Sequence, residues 1–314
     1  ELIANAAVYG EKIKGSAYPI YLAGKAGTGD PAALAIVTAV VIALFALMWV
    51  LISRSFLKTA TSAGKNAKKK YRSTAVAERR LPFALLAKEF GRFASSPSYM
   101  LNCGLGSVIG VAFAGFLLIR NSWAYENLSV LSEAVGIDIP RFAPIAAAAV
   151  CMVLSTVAIT APSVSLEGRT IWLSQSLPVT PWQVLRAKLA VHLWVGGIPA
   201  LLCGVAVAAA LRLPFPTAVM TVILPLLFTL LQACFGLFVN LLHPNLTWVS
   251  EMTPIKQSLG VLFSLLGGWG YAALLGVGGY FLTVPVPAWV ALLALNLLTA
   301  LLSLLLLRWL KGRG

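Results

Sequence analysis

Along this chain, apolar runs of about 20 residues, the length that crosses a bilayer, alternate with short polar segments that hold nearly all the charge. The first run lies between Asp30 and Arg54 and reads PAALAIVTAVVIALFALMWVLIS. At about 1.5 Å of helical rise per residue it spans a hydrocarbon core of about 30 Å. Each central Leu, Ile, Val or Phe favours insertion by roughly 0.3–0.6 kcal/mol, whereas a central Arg or Asp costs roughly 2.5–3.5 kcal/mol. The same pattern predicts seven spans, near 31–53, 99–119, 142–163, 189–211, 215–242, 258–282 and 287–307. In lipid each backbone polar group must be satisfied within its own segment, so the spans are read as helices. The runs exceed barrel strands and lack their alternation. The expectation is an all-α, polytopic membrane bundle of about seven transmembrane helices.

Two polar segments carry a helical pattern of their own. In LPFALLAKEFGRFASSP (81–97), Leu85, Leu86, Phe90 and Phe93 recur at helical spacing with Lys88, Glu89 and Arg92 between them. The segment is too short to span and predicts an amphipathic elbow helix in the membrane interface, ended by Pro97. The segment 165–188 alternates Ile171, Trp172, Leu177, Val184 and Leu185 with polar residues. Thr180 before Pro181 reads as an N-cap with proline in the first turn, so two short helices broken near Leu177-Pro178 are expected.

Charge adds an orientation. Only 11% of the chain is charged, against about 25% in soluble domains. If the segment between the first two spans is cytoplasmic, that side collects eighteen basic and four acidic residues, and the opposite side six of each. The whole net charge of +14 then lies on one face, as the positive-inside rule requires. The chain is therefore expected as a multi-pass protein of the cell (inner) membrane with a cytoplasmic C-terminus. Its basicity needs no nucleic acid. The run KNAKKKYR (65–72) reads as a topological determinant and linker, or as a site for anionic lipid headgroups at about 1 kcal/mol per basic residue.

Candidate chemistry is sparse. Cys103, Cys151, Cys203 and Cys234 fall in apolar runs without CxxC spacing and read as small apolar fillers. A phosphate-binding GxxxxGK[ST] loop fails at Gly24-Lys25, where Pro19 and Ala26 stand, and at Gly64-Lys65, where Thr59 and Asn66 stand. His192 and His243 are isolated, so neither a metal site nor a catalytic site is read. No span contains an acidic residue, which argues against a proton- or sodium-coupled transporter. Polar stripes remain. Thr229, Gln232, Gly236 and Asn240 share one helix face, as do Asn296, Thr299 and Ser303, and Thr156, Thr160 and Ser163. They are expected either to line a substrate path or to hydrogen-bond between helices at roughly 0.6 kcal/mol each. Gly106 and Gly110, and the cluster Gly267, Gly268 and Gly270, suggest close helix packing.

An elbow helix, six spans and a helical loop between the second and third of these resemble an ABC-2 type exporter permease. More narrowly, Ser165-Leu-Glu-Gly-Arg, Trp172, Leu177-Pro178 and Lys188 resemble the SxEG…W…LP…K pattern of a bacterial family of ABC exporter permeases. His243-Pro244, Trp248, Glu251 and Lys256-Gln257 resemble its HPxLxW…E…KQ pattern, and LLAKEFGRFASSPSYMLN its first amphipathic helix. The resemblance covers about residues 81–314 and implies the organisation. Residues 1–30 would be extracytoplasmic, 31–54 the last helix of a preceding half, 55–80 a basic cytoplasmic linker, and 81–314 a six-span ABC-2 type transmembrane domain. A second six-span half would be supplied covalently or by a homodimer.

The resemblance also implies the partners. The chain would bind no cofactor and catalyse nothing itself, while ATP and Mg sit on separate ABC ATPase subunits. Glu167, Gly168, Arg169, Trp172, Leu177, Pro178 and Trp182 form the expected ATPase-coupling loop, with Glu167 and Arg169 pairing with the partner's charges and a tryptophan as anchor. His243, Trp248, Glu251 and Lys256 form a second cytoplasmic loop. Thr229, Gln232, Asn240, Asn296 and Thr299 are the candidate pathway residues, suited to a hydrophobic or amphipathic cargo that leaves between paired halves, with membrane lipid as a further partner. The alternatives are a membrane-embedded lipid-modifying enzyme and a non-transporting scaffold.

Overall fold

A computed structural model describes residues 18–62 and 80–313, and every regular element among them is helical. The KNAKKKYR run and most of the expected linker lie outside the described residues. The chain divides into two compact units, residues 1–76 and 77–314, and the division falls inside the segment expected as linker.

In the first unit, α1 (Tyr18–Gly27) precedes α2 (Pro31–Ser62). Asp30 starts α2 by accepting hydrogen bonds from Ala32 N (2.9 Å) and Ala33 N (3.0 Å), and it pairs with Lys25 at 2.9 Å. The helix continues through Ser62, past the boundary expected at residue 54, because no Gly or Pro interrupts it.

The second unit is a helical bundle. Its elements are α3 (Leu81–Ser95), α4 (Pro97–Cys103), α5 (Leu105–Ile119), α6 (Asn121–Val135), α7 (Ala143–Leu154), α8 (Thr160–Ser163), α9 (Ile171–Ser176), α10 (Pro181–Ala210), α11 (Phe215–Leu242), α12 (Met252–Lys256), α13 (Leu259–Leu282) and α14 (Ala288–Arg313), with 3-10 turns at Ile139–Phe142 and Ser165–Thr170. Among the described residues of the whole chain, five helices are long and apolar enough to cross a membrane, or seven if each of two bent pairs counts as one span. The protein is an all-α membrane bundle. The central helix is α11, the most buried of the spans, which packs against α10, α14, α8 and α7. A core of Ala147, Cys151, Leu154, Cys203, Leu224, Phe228 and Leu292 fills the space around it. All four cysteines are free and buried, Cys151 and Cys203 in this core and Cys103 and Cys234 in two further apolar clusters.

Two expected spans are not continuous helices. The span expected at 99–119 bends by 51° between α4 and α5. The span expected at 142–163 holds regular α-helix only to Leu154, a length of about 18 Å at the usual rise, and resumes at Thr160. The Ser155 and Thr156 hydroxyls turn back onto Met152 O and Val153 O. The interrupted backbone finds partners on the bent span beside it. Ala158 N donates to Cys103 O (3.1 Å), and Ile159 O accepts from the Tyr99 hydroxyl (2.5 Å). Gly106 makes the approach possible, since a Cβ there would collide with the Thr156 hydroxyl and Val157. The other glycine of this pair, Gly110, packs on Pro199 and accepts a hydrogen bond from Cys203 Sγ (3.1 Å). A further helix, α6, fills the segment between the second and third expected spans, and Tyr125 on it stacks under the Arg212 guanidinium at 4.2 Å.

Candidate functional site

The site lies at one end of the second unit, where α3, the 165–182 segment, the N-terminus of α10 and the 243–256 segment meet. The α10 terminus forms as its sequence requires. Thr180 Oγ1 accepts from Gln183 N, Gln183 Oε1 accepts from Thr180 N, and Pro181 occupies the first turn, completing a capping box. The chain breaks between α9 and α10, as expected at Leu177-Pro178, but the second helix is continuous with the span and runs 30 residues to Ala210.

Register on that helix carries Lys188 inward, in the stripe formed by Leu185, Leu189 and His192. Its ammonium group is buried and joins two buried carboxylates. Nζ lies 2.7 Å from Glu167 Oε1 and 2.9 Å from Glu89 Oε2, and it donates to Ser163 O at 3.1 Å. Ser174 Oγ donates to Glu167 Oε2 (2.9 Å) and accepts from Lys88 Nζ (3.0 Å). Arg92 stands at the margin, 4.0 Å from Glu167 Oε1. Burial pushes the Glu167 carboxyl pKa up, but Lys188, with help from Lys88 and Ser174, outweighs it and holds the group below its ordinary value. A buried lysine bonded to two buried carboxylates and a carbonyl ties four elements together: α3, α8, the 3-10 turn and α10.

The same turn is held from its other side by neutral groups. Asn240, on the last turns of α11, accepts through Oδ1 from Val164 N (2.8 Å) and Ser165 N (3.1 Å), and donates through Nδ2 to Ser165 Oγ (2.8 Å). Ser165 Oγ also accepts from Asn245 N (3.0 Å), and Ser165 O accepts from Trp248 Nε1 (2.6 Å). Gly168 adopts φ +50°, ψ −131°, and a Cβ there would sit 3.0 Å from the Trp248 ring. A side chain is therefore opposed both by the backbone conformation and by the indole. Beside the turn, a polar cleft of about 490 Å³ is lined by Arg92, Ser96, Tyr99, Leu166 and Glu251, with Ser96 Oγ donating to Glu251 Oε2 at 3.0 Å.

The structure thus brings Ser165, Glu167, Gly168, Lys188 and Trp248, drawn from two separate sequence patterns, into one contact. Of these, Glu167 is placed differently from the outward use expected of it. Glu167 is committed to Lys188 rather than offered outward, because its register in the tight turn points it at the buried ammonium. Trp182 packs partly buried against the core around Leu185, Leu237 and Leu310. Trp172 (62% exposed), Leu177 (45%) and Pro178 remain outward. His243 and Lys256 are exposed and make no ion pair among the described residues.

Glu89 is a site residue that sequence reasoning assigned to the polar face. Its signal was present: Leu85, Glu89 and Phe93 recur every four residues and are the buried face of α3, whereas Phe90 is turned outward.

The candidate pathway residues are inside helix contacts. Gln232 Nε2 donates to Ser264 O (2.9 Å) and Ser264 Oγ (3.2 Å). Thr229 Oγ1 bonds Pro225 O within its own helix, Asn296 Nδ2 donates to Met220 O (3.0 Å), and Thr299 Oγ1 pairs with the Tyr271 hydroxyl (2.9 Å). Of the two uses open to them, these bonds favour holding helices together. No metal-binding cluster of His, Cys, Asp and Glu occurs among the described residues. No protein-family model, curated protein or solved structure matches the chain.

Proposed function

We propose that this chain is the transmembrane permease of an ATP-driven exporter. In this reading the charged end faces the cytoplasm, together with the C-terminus, in the cell membrane. ATP and Mg bind to separate ATPase subunits, and a second six-span half completes the path. Closure of the ATPase pair pushes on the 165–182 segment, and a hydrophobic or amphipathic cargo leaves between the halves.

The observation that carries the reading is the Lys188 junction. It binds the turn beneath Trp172 to both α3 and α10, so a load applied at the surface passes to the elbow and a span as one body. Asn240 and Trp248 pass the same load to α11 and the 243–251 segment. A flexible scaffold loop would have no use for three buried charges, whose desolvation is costly unless their geometry is held. Exposed Trp172, Leu173 and Leu177 supply the apolar contacts that anchor a partner.

The test is copurification with an ABC ATPase subunit from the same cell, together with ATPase turnover in the complex. Replacing Trp172 and Leu177 by Ala is expected to weaken association by tenfold or more, about 1.4 kcal/mol, while leaving the thermal midpoint of the detergent-purified permease unchanged. Undiminished association, or turnover indifferent to the permease, removes the reading.

A further inference from the structure

An apolar groove of about 1060 Å³ opens between α3, α5 and α10, at the upper end of the size of small-molecule sites. Phe83, Leu86 and Phe90 wall it on α3, Val108 and Val111 on α5, and Trp194 and Ile198 on α10. A second pocket, of about 360 Å³, shares Phe83 and Leu86 with it and continues along α10 toward the charged end, where Gln183 and Arg186 line it. Arg186 is exposed and pairs with no acidic residue among the described residues, whereas Lys88 and Lys188 nearby are both engaged. From Arg186 to Ile198 the helix rises about 18 Å, a little more than one leaflet's half of a 30 Å hydrocarbon core. The strip is thus cationic at the depth of the headgroups and apolar for the depth of an acyl chain.

We infer that this strip is a binding site for one glycerophospholipid with an anionic headgroup. Its phosphate sits against Arg186 and Gln183, and an acyl chain lies in the groove against Trp194 and Ile198. The occupant follows from complementarity. A zwitterionic headgroup would bring a phosphate whose charge its own ammonium already offsets, and a soluble ligand would not fill a groove this apolar. One basic residue near a membrane surface is worth about 1 kcal/mol toward an anionic lipid, which is about fivefold in affinity. The inference does not depend on the exporter reading.

The experiment titrates the detergent-purified full chain with phosphatidylglycerol or phosphatidylcholine and counts bound lipid by native mass spectrometry. Phosphatidylglycerol is expected to bind about fivefold more tightly. Arg186→Gln should erase that preference, and Arg308→Gln, an exposed cation on α14, should leave it intact. Ala112→Trp, which fills the groove from α5, should displace both lipids. A preference that survives Arg186→Gln, or lipid retention unchanged by Ala112→Trp, overturns the site. Conversion of a dimer to a monomer by Ala112→Trp with lipid unchanged would assign the groove to a second copy of the chain and overturn it equally.

Discussion

The turn at Ser165–Thr170 is held by two anchors of opposite chemistry. On the α3 and α10 side the anchor is ionic: one ammonium between two carboxylates, with Lys88 and Arg92 at its edge. On the α11 side it is neutral: the Asn240 amide and the Trp248 indole on backbone groups and one hydroxyl. The neutral anchor satisfies groups that would otherwise be orphaned where the helix ends, and each bond is modest in net worth. The ionic anchor contains more attraction and more risk, because the loss of any member strands the others in a dry site. The proposed coupling role would use both properties: one side would hold the turn's shape, and the other would lock it to α3 and α10.

Removing the ammonium breaks this comparison at its strongest point. Lys188→Ala leaves Glu89 and Glu167 buried without their shared cation, at a cost of about 3–5 kcal/mol, a large part of the stability of a typical fold. A detergent-purified variant is expected to show a large drop in thermal midpoint. Adding Glu89→Gln and Glu167→Gln to Lys188→Ala should recover most of it, since the penalty is unpaired charge rather than lost shape. A midpoint that does not recover would assign Lys188 a packing role instead.

The neutral anchor is expected to cost less. Asn240→Leu leaves the Val164 and Ser165 N–H groups without acceptors, at about 1–3 kcal/mol. The volume is nearly kept, so the loss measures hydrogen bonding. If thermal unfolding ranks Asn240→Leu above Lys188→Ala, the neutral side dominates and the division of labour is reversed.

What the sequence made legible, and what it did not, follows the same division. Apolar runs specified α2, α10, α11, α13 and α14, since insertion depends on local composition alone. The Thr180-Pro181 cap was equally local and formed with Gln183 as its third member. The break after Leu154 was hidden. It exists because Tyr99, Cys103 and Gly106 on another span satisfy and accommodate the freed backbone, and no local pattern records that. Lys188 and Glu89 were visible as charges at apolar register, but their partnership spans 99 residues of sequence. The ordered motifs singled out Glu167 and Trp248, while only the fold showed that one faces inward and the other covers Gly168.

The smallest expected effect separates the anchors by pH. Glu167 sits below its ordinary value of 4.5 in the folded protein, so the unfolded chain takes up its proton first as pH falls. Its contribution is complete above pH 4.5 and is lost progressively below that, as pH drops through the folded value. Thermal midpoints measured from pH 6.5 down to about 3.5, on either side of the ordinary carboxylate range, should therefore fall more steeply for the wild-type chain than for Glu167→Gln, whose amide cannot titrate. Asn240→Leu should lower the whole curve while keeping the wild-type slope, because no proton is exchanged at that anchor. Equal slopes for wild type and Glu167→Gln would mean that the carboxylate gains nothing from Lys188 in the folded state. The ionic attraction of that anchor would then rest on the Lys188–Glu89 pair alone.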